Sequence, residues 1–288
     1  MRYADMYRQQ SSLAFEFVIC TRIPRRLQMK ISIITVAFNS AKTIEDTLRS
    51  VACQTHGEIE HIVIDGASTD NTMTIVQREG AHVARAVSER DRGIYDAMNK
   101  GLSLATGQVV GFLNSDDMFA SPDSVALIAE AFLDQTIEGV YGDLVFVDPR
   151  NVERITRYWR PGVHVAGACA KGGMAPHPTF YVRRDTLDRV DGFDLTYKLQ
   201  ADFDLMLRLF EKERIKTRYL PETLVRMRVG GATTGSISNI IKGNIEAERA
   251  CKRAGFSGGL PFMIRKMGSR LPQFFARQMP FGNAGTND

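Results

Sequence analysis

The stretch Ile-Ser-Ile-Ile-Thr-Val-Ala-Phe at positions 31–38 is β-branched and almost wholly apolar. It shows neither the alternation of a strand with one wet face nor the period of a surface helix. It therefore reads as a central parallel strand covered on both faces, which requires helical crossovers on either side. The following residues supply them. Asn39-Ser40 offers helix-capping chemistry, and Ile44, Leu48, Val51 and Ala52 recur on one helical face. A second strand at 61–64 ends at Asp65-Gly66, and a helix at 68–77 stops at Gly80. An extended piece at 82–88 leads to a helix carrying Ile94, Ala97, Met98, Gly101, Leu102 and Ala105, and a further strand spans 109–113. This strand–turn–helix repetition predicts an α/β fold on a mostly parallel, doubly wound sheet, whose ligands sit beyond the carboxyl ends of the strands. The polar groups at those ends are Asn39, Asp65 and Asn114-Ser115-Asp116-Asp117.

The second half is less regular. Strands are expected at 140–147, 152–159, 180–183 and 219–229, with a Gly- and Pro-rich loop at 162–178 lying over the site and a helix at 201–213. Helix returns at 236–254. Residues 1–28 lack a partner element, and their short apolar stretch precedes rather than follows Arg22, Arg25 and Arg26, the wrong order for a secretory signal. They are expected to be a leader outside the fold. The domain is expected to span 29–235, and 236–288 to form a helical basic tail.

Composition narrows the class. With 288 residues, 44% of them hydrophobic and 24% charged, the chain can build a sizeable core, and a net charge of +4 gives no argument for nucleic acid. No run reaches the roughly 18 apolar residues needed to span a bilayer. Cys20, Cys53, Cys169 and Cys251 show no disulfide or metal-ligand spacing, as expected of reduced thiols in a cytoplasmic protein.

Two adjacent acids after an apolar strand, Asp116 and Asp117, repel one another to no structural end, and a hard divalent cation shared with a diphosphate is their natural ligand. Helix capping before Pro122-Asp123 would need one acid nearer the helix. Asp65, in Asp65-Gly66-Ala67-Ser68-Thr69-Asp70, suits a nucleoside contact or ordinary turn chemistry. Asp202 and Asp204 open a helix, where the dipole favours acids, so capping competes with a general-base role for Asp202. His177, fixed between Pro176 and Pro178, is a candidate third metal or phosphate contact. The chain has no Gly-x-Gly-x-x-Gly after its first strand and no phosphate-binding Gly-x-x-x-x-Gly-Lys-Ser/Thr, which counts against a dehydrogenase and a phosphate-loop NTPase.

Taken in order, IITVAFN (33–39), DGASTD (65–70), GIYDAMNKG (93–101), FLNSDD (112–117), Gly192-Phe193-Asp194 and ADFDLMLR (201–208) resemble the family-2 glycosyltransferases over about 200 residues. These have the nucleotide-sugar-binding GT-A fold. GIYDAMNKG is similar to the branch that builds exopolysaccharide, colanic-acid-like polymers and related surface glycans. The resemblance implies a transferase moving sugar from a nucleotide-sugar donor to a glycan or lipid-linked acceptor, with Mn2+ or Mg2+. It places Asp117 and Asp116 at the metal- and donor-binding acids, Asp202 at the general base of an inverting transfer, and Asp65 and Asn99 in the nucleotide pocket. Family members often carry acids where Gly66, Asn114 and Ala201 stand here, so the donor base is not legible. A glycan-binding module without turnover and a metal-dependent nucleotidyltransferase are the rival readings.

Arg249, Lys252, Arg253, Arg265, Lys266, Arg270 and Arg277 alternate with apolar residues in the tail, and Pro261 and Pro272 interrupt it. A domain-covering helix and an anchor on the anionic inner face of the cytoplasmic membrane are both open readings.

Overall fold

A computed structural model of the chain describes residues 29–230, 237–259, 262, 265 and 266; the leader at 1–28 and most of the basic tail lie outside the described residues. Strand β1 (Ile31–Ala37) is buried at all seven positions. Its side chains alternate: Ile31 and Ile33 join one core, and Ile34 and Val36 join another on the opposite face. This two-sided burial is why the run at 31–38 contains so few polar residues.

Crossovers α1 (Ile44–Ala52), α2 (Thr72–Glu79) and α3 (Ile94–Leu104) connect β1 to β2 (Ile59–Asp65), β3 (Val83–Ser88) and β4 (Val109–Phe112). These four strands are parallel, in the order β3-β2-β1-β4. Helix α3 approaches β1 closely at Gly101, where a Cβ would stand 2.4 Å from Ile34 Cγ2. Glycine at that position lets the helix lie against the sheet.

Beyond β4 the sheet becomes mixed. Among the described residues it has nine strands, in the order β3-β2-β1-β4 and then β8 (Tyr181–Arg183), β6 (Gly139–Val147), β9 (Thr217–Arg228) and β5 (Asp117–Phe119), with β7 (Ile155–Trp159) paired to β6 off this path. Strand β8 (Tyr181–Arg183) runs antiparallel to both β4 and β6, and β9 (Thr217–Arg228) runs parallel to β6. The irregular half expected from the sequence is therefore a continuation of the same sheet. A short strand β5 (Asp117–Phe119), absent from the sequence reading, pairs antiparallel with β9 and is followed by α4 (Ser124–Ala131). Helix α5 (Arg184–Arg189) follows β8. The expected helix at 201–213 is α6 (Ala201–Leu207) continued by a π turn (Arg208–Lys212).

Helix α7 (Ile237–Arg253) adds Ala247, Ala250 and Cys251 to the core that contains Ile34 and Phe203, so it packs on the domain. The first basic residues of the expected tail are used there. Arg249 donates to Thr196 O at 2.8 Å, and Arg253 pairs with Asp194 at 3.0 Å. Among the described residues, no helix is long and apolar enough to cross a membrane.

Candidate functional site

Three loops meet at the carboxyl ends of β1, β2 and β4. The Gly66 amide donates to Ala37 O at 2.8 Å and the Ser115 amide to Val36 O at 3.3 Å, which prolongs the sheet ladder into all three. The hydroxyls of Ser40 and Ser115, 2.7 Å apart, tie the first loop to the third. Asn39 adopts a left-handed backbone, with φ +50°, a conformation asparagine tolerates. Its Oδ1 accepts from the Thr69 amide at 2.9 Å, and its own amide donates to Ser68 Oγ at 2.7 Å. Asn39 thus braces the turn at 65–70 from the exposed rim.

Asp65 lies beneath that turn. It is fully buried and accepts from the Ser68 amide at 2.9 Å, from Ser88 Oγ at 2.6 Å and from Ser68 Oγ. With these bonds Asp65 shapes the turn. Beside it Phe38 is 65% exposed, and with Asp91 it closes over Gly66, where a Cβ would stand 3.3 Å from the ring and 2.6 Å from Asp91 Oδ2. The exposed ring is a feature that sequence reasoning missed. An aromatic ending an otherwise buried strand was the available signal.

Asn99 is likewise engaged by the protein itself. Its Nδ2 donates to Phe193 O at 2.8 Å and its Oδ1 accepts from Phe193 N at 3.0 Å, so its amide clamps the loop after α5 onto α3. It borders an open groove of about 700 Å³ with Leu187, Val190 and Arg208, a groove that includes none of the rim residues above.

The paired acids divide. Asp117 opens β5 opposite Met227 and is 0% exposed; its Oδ1 has no hydrogen-bond partner, and Oδ2 has only a long contact of 3.4 Å from Asn114 Nδ2. Burial, then the neighbouring Asp116, push its carboxyl well above the ordinary range. Pairing with β9 buries Asp117, so Asp116 is the more accessible of the two acids. Asp116 is half-buried, and its carboxyl is raised by desolvation against an opposing pull from Arg228. Arg228 donates to Asp116 O at 2.8 Å and pairs with Asp46, which fixes the backbone of the acid loop.

These residues fit a hard divalent cation. Asp116 supplies a desolvated carboxylate, Asn114 Oδ1 is buried without a partner, and the local acids lack full neutralisation. Magnesium-like ions take one or two carboxylates and complete their shell with phosphate and water. His177 is less suited to join them. Its ring stacks on Phe193, centroids 5.7 Å apart and planes 2° apart, and meets Phe112 edge-on at 5.5 Å. Its Nε2 is buried without a hydrogen-bond partner, and burial lowers its pKa while nearby Asp202 opposes that fall. The buried imidazole packs against Phe193 and Phe112 within reach of the Asp202 charge.

Asp202 stands half-exposed in the first turn of α6. Its Oδ1 accepts from Tyr95 OH at 3.1 Å and from the Phe203 amide at 2.8 Å. Asp202 thus takes a first-turn amide as well as the phenol, while Glu246 of α7 takes the amides before the helix: Lys198 at 3.0 Å, Leu199 at 2.8 Å and Gln200 at 3.1 Å. Asp204 is buried and ion-paired with Arg208 at 2.8 Å, while Arg208 also donates to Val190 O and Gly192 O. Asp202 is the more accessible of the two acids, and its Oδ2 lies outside the bonds from Tyr95 and Phe203. Glu246, 44 residues further along a helix, left no mark in the local pattern.

The chain matches the family described as Glycosyl transferase family 2 over residues 32–191. It is 30% identical over 212 residues to a PGL/p-HBAD biosynthesis glycosyltransferase of Mycobacterium bovis, covering 72% of this chain and 79% of that protein. Among solved structures it is similar to S. aureus TarS in complex with UDP-GlcNAc, with a TM-score of 0.62 and 20% identity over 85% of this chain and 73% of that one. It is also similar to the mannosyltransferase PcManGT from Pyrobaculum calidifontis in complex with GDP-Man and Mn2+, with a TM-score of 0.60 and 18% identity over 88% and 77%. The mixed sheet, with its helices, is the GT-A-like fold of these neighbours. The chain belongs to glycosyl transferase family 2.

Proposed function

We propose that this transferase moves a sugar from a nucleoside-diphosphate-sugar donor to a glycan or lipid-linked acceptor, with inversion, in cell-surface polysaccharide or glycolipid synthesis. The observation that carries the reading is Asp202, half-exposed in the first turn of α6, with Oδ1 held by Tyr95 and the Phe203 amide and Oδ2 outside these bonds, in a fold whose loop after β4 carries the half-buried Asp116. Asp202 takes the proton of the acceptor hydroxyl, whose oxygen attacks the anomeric carbon on the face opposite the diphosphate. One displacement of that geometry inverts the centre. Asp116, with Asn114 Oδ1, would hold a divalent cation, Mn2+ or Mg2+, which would neutralise the departing diphosphate. The exposed Phe38 ring offers the nucleobase a stacking face, contributing about 1–3 kcal/mol.

Neighbouring structures hold UDP-GlcNAc, or GDP-Man with Mn2+, which supports the donor class without choosing the base. The relative named for PGL/p-HBAD biosynthesis supports a lipid-linked acceptor as much as a polymer. The basic tail beyond the described residues would bring the protein to an anionic inner membrane surface; salt-reversible sedimentation with vesicles tests that part.

The decisive experiment incubates the protein with UDP-, GDP- and dTDP-sugars, with and without Mn2+. Release of free nucleoside diphosphate that needs Mn2+ supports the reading. Pyrophosphate would mean nucleotidyl transfer, and donor binding without turnover would mean a silent binding module; either result overturns it.

A further inference from the structure

We infer that His164, Cys169 and Glu211 form a second metal site, suited to zinc and separate from the donor-side cation. One ligand atom from each, the imidazole nitrogen, Sγ and a carboxylate oxygen, lies within 4.8 Å of the other two. Tetrahedral zinc bonds of about 2.0–2.3 Å put ligand atoms roughly 3.5 Å apart, so closing on the ion requires movements of about 1 Å. The three residues come from the loop before the first 3-10 turn, from that turn (Cys169–Lys171), and from the π turn after α6. Their dispersal explains why cysteine spacing gave no sign of the site.

The surroundings favour a ligand over an ordinary packed cluster. Glu211 is 5% exposed and takes amide hydrogen bonds from Gly167 at 2.7 Å and Cys169 at 2.9 Å, which aims the carboxylate at the loop. His164 Nε2 is buried without a hydrogen-bond partner, 3.9 Å from Glu211 Oε1. Its ring is set by an edge contact with Phe210 at 4.6 Å, and its amide donates to Tyr141 OH at 2.7 Å. Burial lowers the imidazole pKa against Glu211, leaving it in the neutral form that binds metal. A nitrogen, sulfur and carboxylate set is borderline-soft, unlike the all-oxygen surroundings of Asp116. An ion there would staple the loop leading to His177 onto α6.

Titration of the purified, metal-stripped full chain with Co2+ tests the site. One equivalent should bind with a near-ultraviolet thiolate-to-cobalt band and the strong visible bands of tetrahedral cobalt, and Zn2+ should displace it. Bound zinc should also protect Cys169 from alkylation, mapped by peptide mass spectrometry on the unmutated protein, so the result does not depend on a variant folding. Cys169→Ala and His164→Gln should abolish the spectrum, while Asp116→Asn should keep it. A folded wild type that gives no thiolate band, or whose Cys169 alkylates equally with and without zinc, overturns the inference; so does a band that survives Cys169→Ala.

Discussion

The Tyr95 hydroxyl donates to Asp202 Oδ1 across 3.1 Å, joining the start of α3 to the start of α6 over 107 positions of sequence. Burial, then the Asp202 carboxylate, hold the phenol well above its ordinary pKa, so it donates and does not ionise. Together with the Phe203 amide it fixes one oxygen and leaves the other for an acceptor hydroxyl. Tyr95→Phe removes a hydrogen bond to a charged group, worth about 1.5–3 kcal/mol. The expected loss is roughly 10- to 100-fold in kcat with donor KM unchanged. A rise in donor KM with kcat intact would show that Tyr95 serves binding instead.

Asp202 and Asp204 should separate by assay. Asp202→Asn should cost about 10²–10⁴-fold in turnover, with donor affinity and melting temperature near wild type. Asp204→Asn should leave Arg208 without its partner beneath the loop at 190–192, a loss of roughly 3 kcal/mol visible as a lower urea midpoint. Full activity in Asp202→Asn would remove it as the base.

How much of this was legible in the sequence depended on whether the cause was local. The parallel half followed from periodicity, because β1 and its crossovers are specified by residues within a few turns. The mixed half did not, since β8 enters beside β4 by antiparallel pairing that no single segment encodes. At the candidate site, periodicity indicated the strand ends, but side-chain orientation there was set at a distance. Pairing of β5 with β9 turned Asp117 inward and left Asp116 half-buried, and Phe193, 94 positions away, took the Asn99 amide. Glu246, on α7, similarly took the amides that lead into α6.

The adjacent acids give a sharper test of the cation. Asp116→Asn should weaken Mn2+-dependent donor binding at least 10-fold in calorimetry, while metal-free affinity changes little. Asp117→Asn replaces a buried carboxyl, raised well above the ordinary range by desolvation, with a neutral group of the same shape. It should retain most of the Mn2+ effect. The opposite ranking would return the metal to Asp117 and require β5 to detach from β9.

Buried histidines should make the fold sensitive to acid, against an opposing contribution from Asp117, Asp116 and Asp143, whose raised carboxyls take up protons in the folded chain first. His61 is fully buried in β2, with Nε2 2.9 Å from Thr35 Oγ1 and Nδ1 3.1 Å from His82 Nε2. Burial, then repulsion from His82, holds its pKa at about 3, against an ordinary 6.5. Between those values the unfolded chain binds a proton that the folded chain refuses, so stability rises with pH and falls on acidification from 6.5. His82, His164 and His177 are lowered by burial as well and act in the same direction. Glu60 works in a lower window. Burial raises its carboxyl, but bonds from Ser32, Thr106 and Lys30 outweigh that and hold it at about 2, so its stabilisation is lost only below about 4.5. From about pH 7 to about pH 5 His61 should therefore contribute roughly 1–2 kcal/mol of destabilisation, read as the difference in melting-temperature slope between wild type and variant. His61→Gln should be less stable at neutral pH yet show a shallower slope. Equal slopes in variant and wild type would mean that His61 takes up a proton in the folded state at ordinary pH.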